Sequence, residues 1–206
     1  MGLENFGLSS FLQKNDDAAW ANKMVLLLAQ LLSTVFGTAS SSDDVANVSA
    51  AITEWDRTKP TSFYPVRSVP RDITPGRYFP ELWMLATFHV VGLQYYHIAQ
   101  IVLAVAESKE PRRKYESLQQ HRMIERNVRH HLFRVLGLAK SNPKAENVWF
   151  TASHCLDAWG GVLRKAADQH AALELLHDIE QRIGWNSARV VQRLKMQWQD
   201  DSDDDA

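Results

Sequence analysis

Pro80-Glu81-Leu82-Trp83-Met84-Leu85-Ala86-Thr87-Phe88-His89-Val90-Val91-Gly92-Leu93-Gln94-Tyr95-Tyr96-His97-Ile98-Ala99 is the stretch from which the rest of the chain is best read. From Glu81 to about Ala106 apolar residues fall on every side of a helical wheel, Leu82, Leu85, Phe88, Val91, Leu93, Ile98, Ile101 and Val105 among them. A helix that is apolar all round needs partners all round, so this one belongs at the centre of a helical protein. Pro80 suits its first turn, where the missing N–H has no intrahelical acceptor. Gly92 costs up to about 1 kcal/mol in a helix relative to alanine, which close approach of another helix would offset. His89, Gln94 and His97 are the polar exceptions. Leu85, Val91, Leu93 and Ile101 are therefore expected to be nearly inaccessible.

Outward from this centre the apolar residues keep helical spacing. Asp16 or Asp17 can cap a helix through Trp20, Met24, Leu27, Leu28, Leu31 and Val35 that stops at Gly37, before a Ser40-Ser41-Ser42 loop. Asp43 or Asp44 can cap a second, with Val45, Val48, Ile52 and Trp55 on one stripe. Five of the seven prolines then follow at Pro60, Pro65, Pro70, Pro75 and Pro80. Proline at that density removes donors and fixes φ too often for helix or sheet, which predicts an extended linker. Phe63, Tyr64, Tyr78 and Phe79 would pack it along the helix surface, unless it serves as a binding loop. Beyond the central helix, spacing predicts helices from about Tyr115 to Leu138, ended by Ser141-Asn142-Pro143, and from about Ala145 to Lys165, weakened by Gly160-Gly161. Asp168 can cap another that stops at Gly184, and Asn186 or Ser187 a last one through Val190, Val191, Leu194 and Trp198. No segment sustains the alternation of a strand. The fold class is all-α, an irregular helical bundle packed around a long buried central helix with a Pro-rich extended linker before it. Residues 1–15 read as an N-terminal segment, 16–199 as a single helical domain and 200–206 as an acidic disordered tail.

With an apolar content of 45% and a charged content of 23%, the composition is that of an ordinary globular protein. Five aspartates between Asp200 and Asp205 set against a net charge of −1 leave the rest of the chain positive. The one cysteine, Cys155, permits no intramolecular disulfide and no cysteine-rich zinc site, which favours a reducing compartment. No run reaches about 18 consecutive apolar residues, so no membrane association is expected. Lys23 to Leu32 followed by Gly37-Thr38-Ala39-Ser40 resembles a signal peptide but lies inside the chain and is broken by Gln30.

His170, Glu174 and His177 are spaced to present two imidazoles and a carboxylate to a metal. They stand opposite the apolar stripe of their helix, however, where a solvated face belongs, so no metal is expected. His121, His130 and His131 lie in a basic helix as surface residues, and Arg112-Arg113-Lys114 is a low-specificity basic patch. Trp83, His89, Tyr95, Tyr96 and His97 are the candidates for a small-molecule pocket beside the central helix; plain core packing is the alternative. His154 and Cys155 are neighbours pointing about 100° apart on a helix, which makes no nucleophile pair, and no Gly-rich phosphate loop or nucleophile elbow is present. No catalytic residue, cofactor or DNA-binding residue is assigned.

Several stretches share a pattern when taken in order: Trp55 with Lys59-Pro60, Phe63 and Pro65; Tyr78-Phe79-Pro80-Glu81-Leu82-Trp83 through Tyr95-Tyr96-His97; and Leu136-Gly137-Leu138-Ala139-Lys140-Ser141-Asn142. Phe150-Thr151-Ala152-Ser153-His154-Cys155 follows, then Leu175-Leu176, Ile179-Glu180, Gly184-Trp185, Leu194 and Trp198. Their order and spacing resemble the C-terminal regulatory region of fungal binuclear zinc-cluster (Zn2Cys6) transcription factors, the fungal-specific transcription factor domain. Lys59 stands where that family usually has arginine, and Leu136 where a cysteine is common. The six cysteines of the zinc cluster itself are absent.

The resemblance implies nuclear control of transcription by a non-enzymatic helical domain, with DNA recognition left to a zinc cluster that this chain lacks. Implied partners are other transcription proteins or a zinc-cluster-bearing chain, with a homodimer possible and no specific DNA binding by this chain alone. The alternative is a helical small-ligand-binding protein or enzyme. A buried polar constellation of His89, His97 and His154 would favour that alternative.

Overall fold

The computed structural model describes residues 16–37, 42–107 and 114–204, with side chains described for all of these except 42, 114–118 and 200–204. Asp16 opens the first helix, α1 (Asp17–Phe36), by accepting the Ala19 N–H at 2.8 Å, and Gly37 closes it by donating to Ser33 O. In α2 (Ser42–Thr58) the Ile52 and Trp55 side chains are buried, and the Trp55 indole donates to Trp20 O at 2.9 Å, tying α2 to α1. The central helix is α3 (Thr87–Glu107), with α1 and α4 (Lys114–Ser141) packed on it and α2 and α5 (Glu146–Trp159) also in contact. A 3-10 turn at Gly160–Val162, α6 (Ala166–Ile183) and α7 (Ala188–Asp204) complete the bundle. The fold is all-α, with seven α-helices among the described residues.

The core fills the space the apolar stripes leave. Met24, Leu31, Ile52, Trp55, Ile101, Leu132, Leu136, Leu156 and Leu176 are all sealed from solvent. A Cβ on Gly92 would come within 2.8 Å of the Phe63 ring and 3.3 Å of the Ala21 backbone, the close approach that its place in the central helix implied. Gln94 is fully buried, its amide donating to Val135 O and Val148 O, so it joins α3 to α4 and α5. By length and composition α1 and α3 are both apolar enough to cross a membrane; the α3 window is 56% buried in the bundle, as a core helix must be.

The structure corrects the sequence reading at several joints. Glu81–Trp83 is not the first turn of the central helix but a strand, β2, paired antiparallel with β1 (Arg67–Val69) in the register Arg67↔Trp83, Ser68↔Leu82, Val69↔Glu81. Pro65 and Pro70 bracket β1 without falling inside it, so the four donors between them survive, and Pro80 stands just before β2, where its missing donor interrupts no ladder. Since α3 begins only at Thr87, Leu85 lies in the bend before it and is 70% exposed. Leu93 and Ile101 are buried as expected, while Val91 is half-buried.

Further along, α5 stops at Trp159 because Gly160-Gly161 turns the chain into the 3-10 segment. Asp168 does not cap α6; Lys165 holds the N-cap position, and Asp168 is buried one turn in. Gly184 ends α6 in the left-handed region at φ 68, which glycine adopts at no steric cost. At the next corner Asn186 Oδ1 accepts the Ala188 N–H, and the buried Ser187 hydroxyl donates to Leu176 O and the Glu180 carboxylate. No glycine or proline interrupts α7, which continues through Asp204. Residues 1–15, Ser40, Ser41, Arg112, Arg113, Asp205 and Ala206 lie outside the described residues, as does the Lys114 side chain.

Candidate functional site

Three sites follow from this framework, and the first is the joint between the hairpin and α4. A Cβ on Gly137 would stand 2.3 Å from Pro80 O, so only glycine lets the residue before β2 lie on the helix. One turn on, Ser141 Oγ accepts the Leu82 N–H at 3.0 Å and Asn142 Oδ1 accepts the Met84 N–H at 2.9 Å, while Asn142 Nδ2 donates to Leu82 O and Leu138 O at 2.8 Å. Ser141 and Asn142 thus occupy the outer edge of β2 as a neighbouring strand would. Trp83 projects from this joint, 44% exposed, between two grooves of ≈ 350 Å³ and ≈ 310 Å³ that share it with Ser141. Arg77, Tyr78, Glu81 and Lys140 line the first; Met84, Leu85, Val90 and Lys144 line the second.

The second site pins the linker. Arg71 reaches 2.5 Å from the carboxylate of Asp168, which is only 2% exposed, and its guanidinium lies 4.1 Å from the centre of the Phe133 ring. A buried carboxylate facing one guanidinium is a structural clamp, holding the linker between α4 and α6.

The third is a file of packed rings along α3. His89 meets Phe63 at 4.7 Å between centroids, Phe63 meets Trp55, Trp55 stacks on Tyr96 at 5.9 Å, and Tyr96 adjoins His97. His97 Nδ1 lies 2.9 Å from His131 Nδ1, and the exposed His130 packs beside His131. At the other end, buried His89 donates from Nε2 to the Asp17 carboxylate at 2.8 Å. The Ser62 hydroxyl and His89 together hold the Asp17 carboxyl below its usual range.

The five pocket candidates therefore do not converge. Trp83 belongs to the hairpin joint; His89, Tyr96 and His97 are links in the ring file, His89 and His97 about 12 Å apart along the helix axis; and Tyr95 is half-buried against the core. His154 is exposed against the Trp185 ring, so His89, His97 and His154 form no constellation. Burial pushes the Cys155 thiol up to about 12, which leaves it protonated and inert. His170, Glu174 and His177 lie exposed on the solvent face of α6, as their position opposite the apolar stripe implied. His131 was expected on the surface; it is half-buried, because it turns toward His97 from a neighbouring helix. The Arg71–Asp168 clamp was missed, although Asp168 interrupts the stripe Ala172, Leu175, Ile179, and an acid on an apolar stripe calls for a cation.

Burial, with the nearby Arg134, holds His97 well below the usual imidazole range and His131 down to about 4. Both are neutral when folded near neutral pH, so between pH 6.5 and about 4 the unfolded chain binds more protons and stability falls as pH falls. Urea unfolding of the intact chain from pH 7.5 to 4.5 is expected to show that fall, and His131→Gln to flatten it. A parent slope no steeper than the variant's would exclude the imidazole pair as its source. No protein-family model, no curated protein and no solved structure matches the chain.

Proposed function

We propose that this chain is the regulatory body of a fungal zinc-cluster type transcription regulator, acting in the nucleus through protein partners, and that these 206 residues, with one cysteine, do not themselves read DNA. One observation carries the reading. The Phe79-to-Trp83 stretch and the Gly137-to-Asn142 stretch, each picked out for its resemblance to that family and separated by some 55 residues, are each other's partners in space through Pro80 on Gly137 and the Ser141 and Asn142 bonds to β2. Three other matching residues are also joints: Trp55 ties α2 to α1, Gly184 caps α6, and the buried Trp198 indole donates to Gly160 O at 3.0 Å. Residues spent on joints describe a scaffold, and the buried side chains Gln94, Ser141, Asp168 and Ser187 bond to other parts of the fold. Partners are other transcription proteins or a zinc-cluster-bearing chain, and a homodimer is compatible with the reading. No cofactor enters it.

Specific recognition of DNA needs side chains delivered to base edges in a groove, and one cysteine cannot build the module that does so in the resembling family. The purified chain is therefore expected to enrich no motif from a random oligonucleotide pool at physiological salt. Fused to an unrelated DNA-binding module, it is expected to change reporter transcription severalfold. A motif that survives competitor DNA would refute the first half, and a silent fusion the second. The second reading, a small-ligand-binding protein or enzyme, is favoured only by the two grooves beside Trp83; saturable capture of a small apolar molecule there, lost in Trp83→Ala, would promote it.

A further inference from the structure

We propose that His130, His131 and Arg134 of α4 form a binding site for a small phosphate-type oxyanion, either free phosphate or a phosphomonoester. His130 and Arg134 are one helical turn apart and His131 lies three residues before Arg134, so the three share a face. Arg134 is half-buried and, among the described residues, makes no hydrogen bond or ion pair with an acid. Its charge is felt by Tyr96, His97, His130 and His131 alike. The carboxylate near this cluster is Asp56, and it is already engaged by Lys59 Nζ at 2.6 Å and by the Tyr96 hydroxyl.

The cluster is rich in donors and poor in acceptors. A guanidinium offers five N–H groups in a planar fork, and a neutral imidazole one more. Because His131 Nδ1 is held by His97 Nδ1 at 2.9 Å, its Nε2 on the far side of the ring is left for a partner outside the pair. His97 is buried and so forms a wall, whereas His130 is exposed and gives access. A tetrahedral oxyanion with several acceptor oxygens matches a guanidinium fork flanked by imidazoles better than a single carboxylate does. Its negative charge also opposes the burial and the neighbouring Arg134 charge that keep these imidazoles neutral. Binding should therefore draw a proton onto His130 or His131, with Lys59, Arg134, Asp56, Tyr96 and His97 as the other titratable or charged groups facing them.

The test follows the imidazole nitrogens of the full-length chain by NMR while orthophosphate, glycerol phosphate or sulfate is added, with chloride at matched ionic strength as control. The expected result is a saturable shift of the His130 and His131 signals, with Arg134→Gln weakening binding about tenfold or more, the usual effect of losing a charge-assisted bond. Whichever of orthophosphate and glycerol phosphate saturates at lower concentration identifies the source of the phosphate group. Sulfate, whose charge is constant over this range, is expected to bind more tightly at pH 5.5 than at 7.5, and His131→Gln to lose most of that difference. Should His131→Gln fail to fold, His130→Gln, at an exposed position, is expected to weaken binding severalfold. Shifts that chloride reproduces, or an affinity unchanged in Arg134→Gln, would overturn the proposal.

Discussion

Arg71→Ala is expected to cost about 3–5 kcal/mol of folding stability, a large share of what a domain of this size possesses. The loss comes less from the bond removed than from the charge left behind. Asp168 is 2% exposed, and without the guanidinium 2.5 Å away its carboxylate stays buried and unpaired, while Phe133 loses the cation on its face. The double variant Arg71→Met, Asp168→Leu is expected to recover most of the loss, since replacing both partners of a buried pair with apolar groups is often close to neutral. Urea unfolding at pH 7 of the parent, Arg71→Met, Asp168→Leu and the double variant closes the cycle. A single-variant loss below about 1 kcal/mol, the usual value of an exposed ion pair, would show that water reaches Asp168.

Gly137→Ala is expected to destabilise by about 2 kcal/mol, although alanine is the better helix former by about 1 kcal/mol. The new Cβ would stand 2.3 Å from the Pro80 carbonyl, a backbone atom that cannot swing aside as a side-chain end does. The hairpin must lift, and with it the bonds from Leu82 and Met84 to Ser141 and Asn142. A lower unfolding midpoint, with quenching data showing Trp83 more accessible, is the expected outcome. A variant more stable than the parent would mean that the hairpin slides on α4 without resistance.

Much of this architecture was legible because helices announce themselves by period. The stripes of Met24, Leu28 and Leu31 and of Leu175, Leu176 and Ile179 proved to be core faces, and Gly37 and Gly184 proved to be stops. The hairpin was illegible because two three-residue strands carry no period, and because Glu81 to Ala86 is apolar enough to pass for the first turn of the helix behind it. What holds Leu82 and Met84 extended is Ser141 and Asn142, some 58 to 59 residues away, and no local pattern encodes such a partner. The same holds for His97 and His131, 34 residues apart. In sequence His131 reads with its neighbour His130; in space its closer partner lies on another helix. The five pocket candidates were chosen for clustering along one segment, but Trp83 lies on β2 ahead of α3, and His89, Tyr96 and His97 are spaced along the ring file with different neighbours.

The clasp of Ser141 and Asn142 on β2 also bears on how copies of this protein behave in concentrated solution. An open strand edge is a template onto which another chain can add itself, the first step toward aggregates. On β2 that edge is occupied by side chains that reach the length of the strand and offer no further ladder beyond it. On β1 it is three residues long, starts beside an arginine and is shut at either end by Pro65 and Pro70, which have no N–H to offer. This two-stranded sheet is thereby closed to recruits on one side and too short to hold them on the other.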